Sequence, residues 1–198
     1  YSVETMVDRL AAAVGEDPVE FRLKRMDHAP REAGALRLAA EKAGWGNAMP
    51  EGVSRGVAVH KSFGSYVAQI VDIRRLENGS FKIEKVVCAI DCGIAVLPDQ
   101  VVAQMEGSIG YALSAATRNK VTMTDGLVDQ VNFTDYDPTR MYEMPDIEVH
   151  IVPSAEAPTG VGEPGVPPFA PALANAVFAA TGQAIDRLPM ADSGVTIG

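Results

Sequence analysis

The chain has 198 residues, 47% of them hydrophobic and 22% charged, which is enough apolar material for one domain with its own core. Its 17 Lys and Arg stand against 26 Asp and Glu, a net charge of −9, and that balance argues against nucleic acid and anionic membrane surfaces as partners. No apolar run is long enough to span a bilayer.

Val3, Met6, Val7, Leu10, Ala11 and Val14 recur at helical spacing. Residues 2–14 are therefore predicted as an amphipathic helix with this stripe inward, Ser2 as its cap and Gly15 at its end. Asp17-Pro18 opens a second helix to about Met26, with Phe21 inward. A third runs from about Pro30 to Ala43 and closes at Gly44. Trp45, the only tryptophan, stands between two glycines and reads as a packing anchor.

From Ser54 the period changes to two. Val57 and Val59, then Val67, Gln69, Val71 and Ile73, alternate as strands do, and Phe81, Ile83, Val86 and Val87 continue the pattern to Asp91. Ser62 to Tyr66 bends between two of these strands, and Glu77-Asn78-Gly79-Ser80 is a turn between the next two. The expected product is an antiparallel unit of three strands. Cys88 and Cys92 are a poor disulfide pair at their spacing, and Cys88 reads as core. Two cysteines are too few to hold an iron–sulfur cluster within this chain. His28, His60 and His150 show no metal-ligand spacing, so no metal site made of side chains is predicted.

Pro98 opens a long helix carrying Val101, Val102, Met105, Ile109, Leu113 and Ala116. Gly107 interrupts it and needs a reason, either close packing of another element or close approach of a ligand. Residues 119–136 read as a hairpin around Asp125-Gly126, and Met141 to Val152 as a strand that Pro145 confines to an edge or a bulge. Helices and strands arrive in blocks, so the fold class is α+β, a mixed antiparallel sheet with packed helices. The expected organisation is a single domain, 1–198, with N-terminal helices in 1–46 and the sheet, further helices and a functional loop at 158–168 in the remainder.

That loop, Pro158 to Pro168, sets three glycines and four prolines around one carboxylate, Glu163. Glycine admits close approach and proline stiffens the chain. Phe169, Leu173, Val177 and Phe178 then recur as a helix, with Pro167-Pro168 at its first turn and Gly182 as its cap. Glu163 just ahead of a helix N-terminus would be held ionised by the dipole and could serve as a general base. The competing local reading is a glutamate that faces water.

Gly160-Val161-Gly162-Glu163-Pro164-Gly165 and the following Ala170-Pro171-Ala172-Leu173-Ala174-Asn175-Ala176 resemble the active-site loop of molybdenum hydroxylases, the xanthine oxidase family. Asp91-Cys92-Gly93, Pro98-Asp99, Gln104-Met105-Glu106-Gly107 and Asp17-Pro18-Val19-Glu20-Phe21-Arg22 carry the same likeness. Gly44-Trp45-Gly46, Arg55 to His60, and Asn132 to Tyr136 resemble the branch of isoquinoline 1-oxidoreductase large subunits. The likeness runs nearly end to end but covers only the C-terminal part of such a subunit.

The resemblance implies an enzyme that hydroxylates N-heteroaromatic compounds or aldehydes using water. Glu163 would be the general base, and Gln104, Gly107, Gly160, Val161 and Gly162 would bind a molybdopterin cofactor, in its cytosine dinucleotide form, with molybdenum. It implies as partners the remainder of the large subunit and a small subunit that carries [2Fe–2S] clusters. Leu97 departs from the family's usual asparagine before Pro98. The Gly-Gly-Phe-Gly and Arg-containing segments that close the far side of the metal site are absent. With half a site, the isolated chain also reads as an inactive fragment, a non-catalytic binding or assembly module.

Overall fold

Three consecutive strands, β1 (Val53–Ser62), β2 (Ser65–Arg75) and β3 (Phe81–Asp91), fold back on one another antiparallel in the computed structural model, which describes residues 1–198. Successive side chains alternate between two buried layers. On one face, Val67, Val71 and Ile73 of β2 join a core with α4 (Pro98–Thr117) and α5 (Phe169–Thr181). On the other, Ala68 and Ile70 pack with α3 (Pro30–Ala43). Trp45 joins that second layer, and its Nε1 donates to Asp17 Oδ2 at 2.8 Å. The expected antiparallel unit and the packing role of Trp45 are both present. Burial pushes the Cys88 thiol up to about 12, which makes it inert core.

A fourth strand, β6 (Asp146–Ile151), pairs parallel with β3 and gives the order β1-β2-β3-β6. A parallel neighbour needs a long crossover, and α4 lies within it. The strand is shorter than the predicted Met141–Val152. Pro145 cannot donate to a ladder, and residues 141–143 form a 3-10 turn in which Glu143 Oε2 accepts from Arg140 N at 2.6 Å. In residues 119–136 only β4 (Met123–Thr124) and β5 (Leu127–Val128) pair, across Asp125-Gly126.

The first helix, α1 (Ser2–Val14), is where the sequence reading fails. Of the predicted inward stripe, Val3, Met6, Leu10 and Val14 are exposed, Val7 is half-buried and only Ala11 is buried, whereas Glu4 and Asp8 are buried. The charged face turns inward because α2 (Pro18–Leu23) supplies Arg22, whose Nε meets Glu4 Oε2 at 3.0 Å and whose Nη1 meets Asp8 Oδ1. Glu4 Oε2 also accepts from Val59 N at 2.8 Å. Burial pushes the Asp8 carboxyl up to about 6, against the lowering pull of Arg22. Ser2 is the first helical residue and gives no side-chain cap. The second helix ends at Leu23, three residues short of Met26.

Helix α5 is locked to β1 by backbone contact. A Cβ on Gly56 would stand 2.2 Å from Ala176 N and 2.3 Å from the Ala172 carbonyl oxygen. Buried Asn175 donates from Nδ2 to the carbonyls of Val57 at 2.9 Å and Glu4 at 3.2 Å. Gly56→Ala is therefore expected to lift α5 from the sheet and cost about 1–3 kcal/mol, as overpacking typically does. Thermal unfolding checks this, and an unchanged midpoint would mean that the α5–β1 contact has room to spare.

Candidate active site

The loop ahead of α5 is built onto the rest of the fold at both ends. At its start, Asp91 accepts from Arg31 at 2.6 and 2.9 Å and from Gly93 N at 3.0 Å, which orders the Asp91-Cys92-Gly93 turn. The Arg31 guanidinium holds the Asp91 carboxyl below its ordinary range. Thr159 N then donates to Cys92 O at 2.9 Å, and Gly160 N to Phe63 O at 3.1 Å. Ser65 donates its one hydroxyl proton to Gly160 O at 2.7 Å, so the Thr159 hydroxyl, 2.7 Å away, is the donor to Ser65 Oγ. At the far end, Gln69 Nε2 donates to Gly165 O at 2.8 Å. A Cβ on Gly165 would stand 2.8 Å from Ser108 Cβ and 3.1 Å from Met105 Sδ, so the loop is pressed against α4 there.

Between these anchors Glu163 is exposed, and Val166 N donates to its carbonyl at 2.9 Å. It opens into a cleft of about 520 Å³ lined by Phe63, Gln104, Gly107, Ser108, Tyr111 and Gly162, among others. Of the six predicted site residues, the fold brings four to this cleft: Glu163, Gln104, Gly107 and Gly162. The other two do not line it. Gly160 is exposed against the β1–β2 turn, where a Cβ would meet Phe63 Cβ at 2.9 Å, and half-buried Val161 packs on the core. Glu163 stands farther from the helix than predicted, with Pro164 to Pro168 between it and α5.

Gly107 and Gly162 are a different case from Gly160. No atom lies within 4 Å of a Cβ built on either, and neither backbone angle is left-handed. No other element of this chain packs against Gly107. Both glycines face the same cleft, which has room for a group that approaches the backbone closely. A second cavity of about 620 Å³ adjoins the first, sharing Gly107 and Tyr111, and Glu106 lines that one instead. No three His, Cys, Asp or Glu side chains come together as metal ligands.

Three participants, Phe63, Ser65 and Gln69, were not among the predicted site residues. Phe63 projects at the cleft from the β1–β2 turn, 63% exposed and with φ of 52°, an unusual angle for a bulky residue. Ser65 and Gln69 lie on β2, and a polar residue on an otherwise apolar strand face was the available signal.

Comparison with known proteins places the site in context. Residues 8–145 match the family described as the molybdopterin cofactor-binding domain. The chain is 35% identical over 195 residues to the beta subunit of isoquinoline 1-oxidoreductase from Brevundimonas diminuta, covering 96% of this chain and 25% of that protein. It is 31% identical over 211 residues to a subunit of nicotinate dehydrogenase from Pseudomonas putida, covering 96% and 18%. It is also 30% identical over 220 residues, all of this chain and 28% of the relative, to a protein of Gluconacetobacter polyoxogenes named as a membrane-bound aldehyde dehydrogenase with pyrroloquinoline quinone. The fold matches solved quinoline 2-oxidoreductase from Pseudomonas putida 86 at a TM-score of 0.55 and 22% identity, over 64% of this chain and 17% of that one. The chain thus spans between 18% and 28% of the length of these curated relatives.

The open space at Gly107 has a direct consequence for stability. Alanine meets no atom there and is the better helix former, so Gly107→Ala is expected to stabilise the fold by roughly 0.5–1 kcal/mol. A lowered midpoint in thermal unfolding would show that packing, and not open space, dictates this glycine.

Proposed function

The chain belongs to the molybdopterin cofactor-binding family of the molybdenum hydroxylases, and from that premise we propose that it forms one wall of the active site of a molybdenum-dependent oxidoreductase. The supporting observation is the cleft in which Glu163 faces two glycines, Gly107 and Gly162, that nothing within the chain requires. We assign those glycines and the Gln104 amide to contact with the pterin cofactor, in its cytosine dinucleotide form. Gly160 and Val161 serve the same site indirectly by shaping the loop backbone. The bound cofactor would supply the redox centre that takes two electrons from the substrate carbon.

The chain's own contribution is positional and acid–base. Glu163, on a loop tied at both ends, takes the proton from the oxygen nucleophile as it attacks an electron-poor carbon. Phe63 and Tyr111 form the apolar rim beside it. The substrate class is an N-heteroaromatic compound or an aldehyde, supported by the names of the relatives. Two electrons leave through [2Fe–2S] clusters on a partner subunit, since the two cysteines here are both buried and single.

For the isolated chain a second reading holds, that of a binding or assembly module without activity. The loop, α4 and the β1–β2 turn are the only walls of a cleft that is otherwise open, and the chain spans a quarter of its relatives. Elemental analysis is expected to find molybdenum with iron in the assembled enzyme and neither in this chain alone. Stoichiometric quinone without molybdenum in the assembled enzyme would instead favour the cofactor named for the Gluconacetobacter relative.

Glu163→Gln keeps size and hydrogen bonding but removes the proton acceptor. In the assembled enzyme it is expected to lower kcat by about 10²–10⁴, the usual range for a lost general base, with metal content unchanged. Glu106→Gln, facing the neighbouring cavity, is expected to do much less. Turnover of Glu163→Gln close to wild type would place the base elsewhere. Gly107→Ala, although more stable, is expected to retain less molybdenum.

A further inference from the structure

Gln69 is fully buried in the middle of β2, among Val67, Val71 and Ile73 on the same face. Its Nε2 donates to Gly165 O at 2.8 Å, with only a long contact to Cys88 Sγ at 3.8 Å besides. Its Oε1 has no donor at all. Turning the amide over would set Oε1 against the Gly165 carbonyl, so that carbonyl alone fixes its orientation. A buried amide with an unmet acceptor is poor core material beside an apolar side chain of the same size. What it does provide is a hold on the loop. Four residues earlier on the same face, Ser65 performs the matching task at Gly160 O. The two anchored carbonyls bracket Glu163, one three residues before it and one two residues after it.

We propose that Ser65 and Gln69 are positioning residues, through which β2 fixes the loop backbone on both sides of Glu163 and so sets where its carboxylate stands in the cleft. This rests on Glu163 being the general base. A glycine-rich loop without such ties samples many backbone states, and displacement of a reacting group by about 1 Å can cost 10²-fold in rate. Strand β2 is the rigid element suited to the task, because both of its faces are buried and both of its edges are paired.

The test uses the assembled molybdenum enzyme. Gln69→Met keeps an unbranched side chain of similar size and removes the donor. It is expected to lower kcat by about 10- to 100-fold with little change in KM, as for loss of an interaction that matters only in the transition state. Metal content should hold, and amide hydrogen exchange at Gly160 and Val166 should accelerate. Ser65→Ala releases the other end, should act in the same direction, and serves where Gln69→Met fails to fold. Placed on Glu163→Gln, either substitution should cause no further loss in single-turnover reduction, because both act through the same carboxylate. Wild-type kcat in both single variants, or unchanged loop exchange, overturns the proposal. An undiminished loss on the Glu163→Gln background also overturns it, while leaving Glu163 as the base. Full turnover by Glu163→Gln removes the base, and the positioning role falls with it.

Discussion

Gly165 is where three elements meet with no room for a side chain, and the site depends on that contact. β2 reaches it through Gln69, α4 presses on it through Met105 and Ser108, and α5 begins four residues later. None of these can shift alone. α5 is held to β1 where Gly56 admits its backbone, and Asn175 ties it onward to the carbonyls of Val57 and Glu4. The cleft wall on α4 is therefore set relative to Glu163 by the same packing that closes the core. Dense packing of this kind transmits displacement instead of absorbing it, which makes a loop rich in glycine compatible with a defined carboxylate position.

Much of this was legible in the sequence because periodicity and turn chemistry report backbone state directly. The period-two run from Ser54, the Asp125-Gly126 turn and the helix opened by Pro98 all appear where the pattern puts them. α1 is the instructive exception. Its stripe is regular, yet Val3, Met6, Leu10 and Val14 face outward and only Ala11 of it is buried. Apolar periodicity shows that a helix has two unlike faces, and the inward face is decided by what the neighbouring elements offer. Here Arg22 of α2 offers a guanidinium to both Glu4 and Asp8, and the Val59 amide adds a donor. A buried charge is tolerable only with such partners, and those partners are distant in sequence.

The candidate site was legible in its parts and not in its construction. Motif resemblance brought forward Glu163, Gln104, Gly107 and Gly162, which the fold gathers at one cleft. It could not separate glycines that admit the protein's own backbone from glycines that leave space. Nor did it bring forward Gln69, which has no motif around it. A lone amide on the buried face of a strand is nonetheless a signal, since an unpaired polar group there is costly and its partner must be sought. Loop carbonyls are the natural candidates, because a buried loop leaves some of its backbone groups without ladder partners.

The glycines around Glu163 divide by what stands opposite them. Gly160 and Gly165 each have a neighbour closer than 3 Å to where a Cβ would be, Phe63 in one case and Ser108 in the other. Neither has room for a side chain, which lets a loop be both flexible in composition and fixed in place. Gly107 and Gly162 have no neighbour within 4 Å. Gly107 even weakens the helix that contains it, so selection for stability alone would have removed it. A residue that costs stability and faces an open cleft beside a carboxylate calls for an explanation other than this chain's own packing. If that explanation is the pterin, the two sets of glycines mark where the protein's own packing ends and the cofactor's begins.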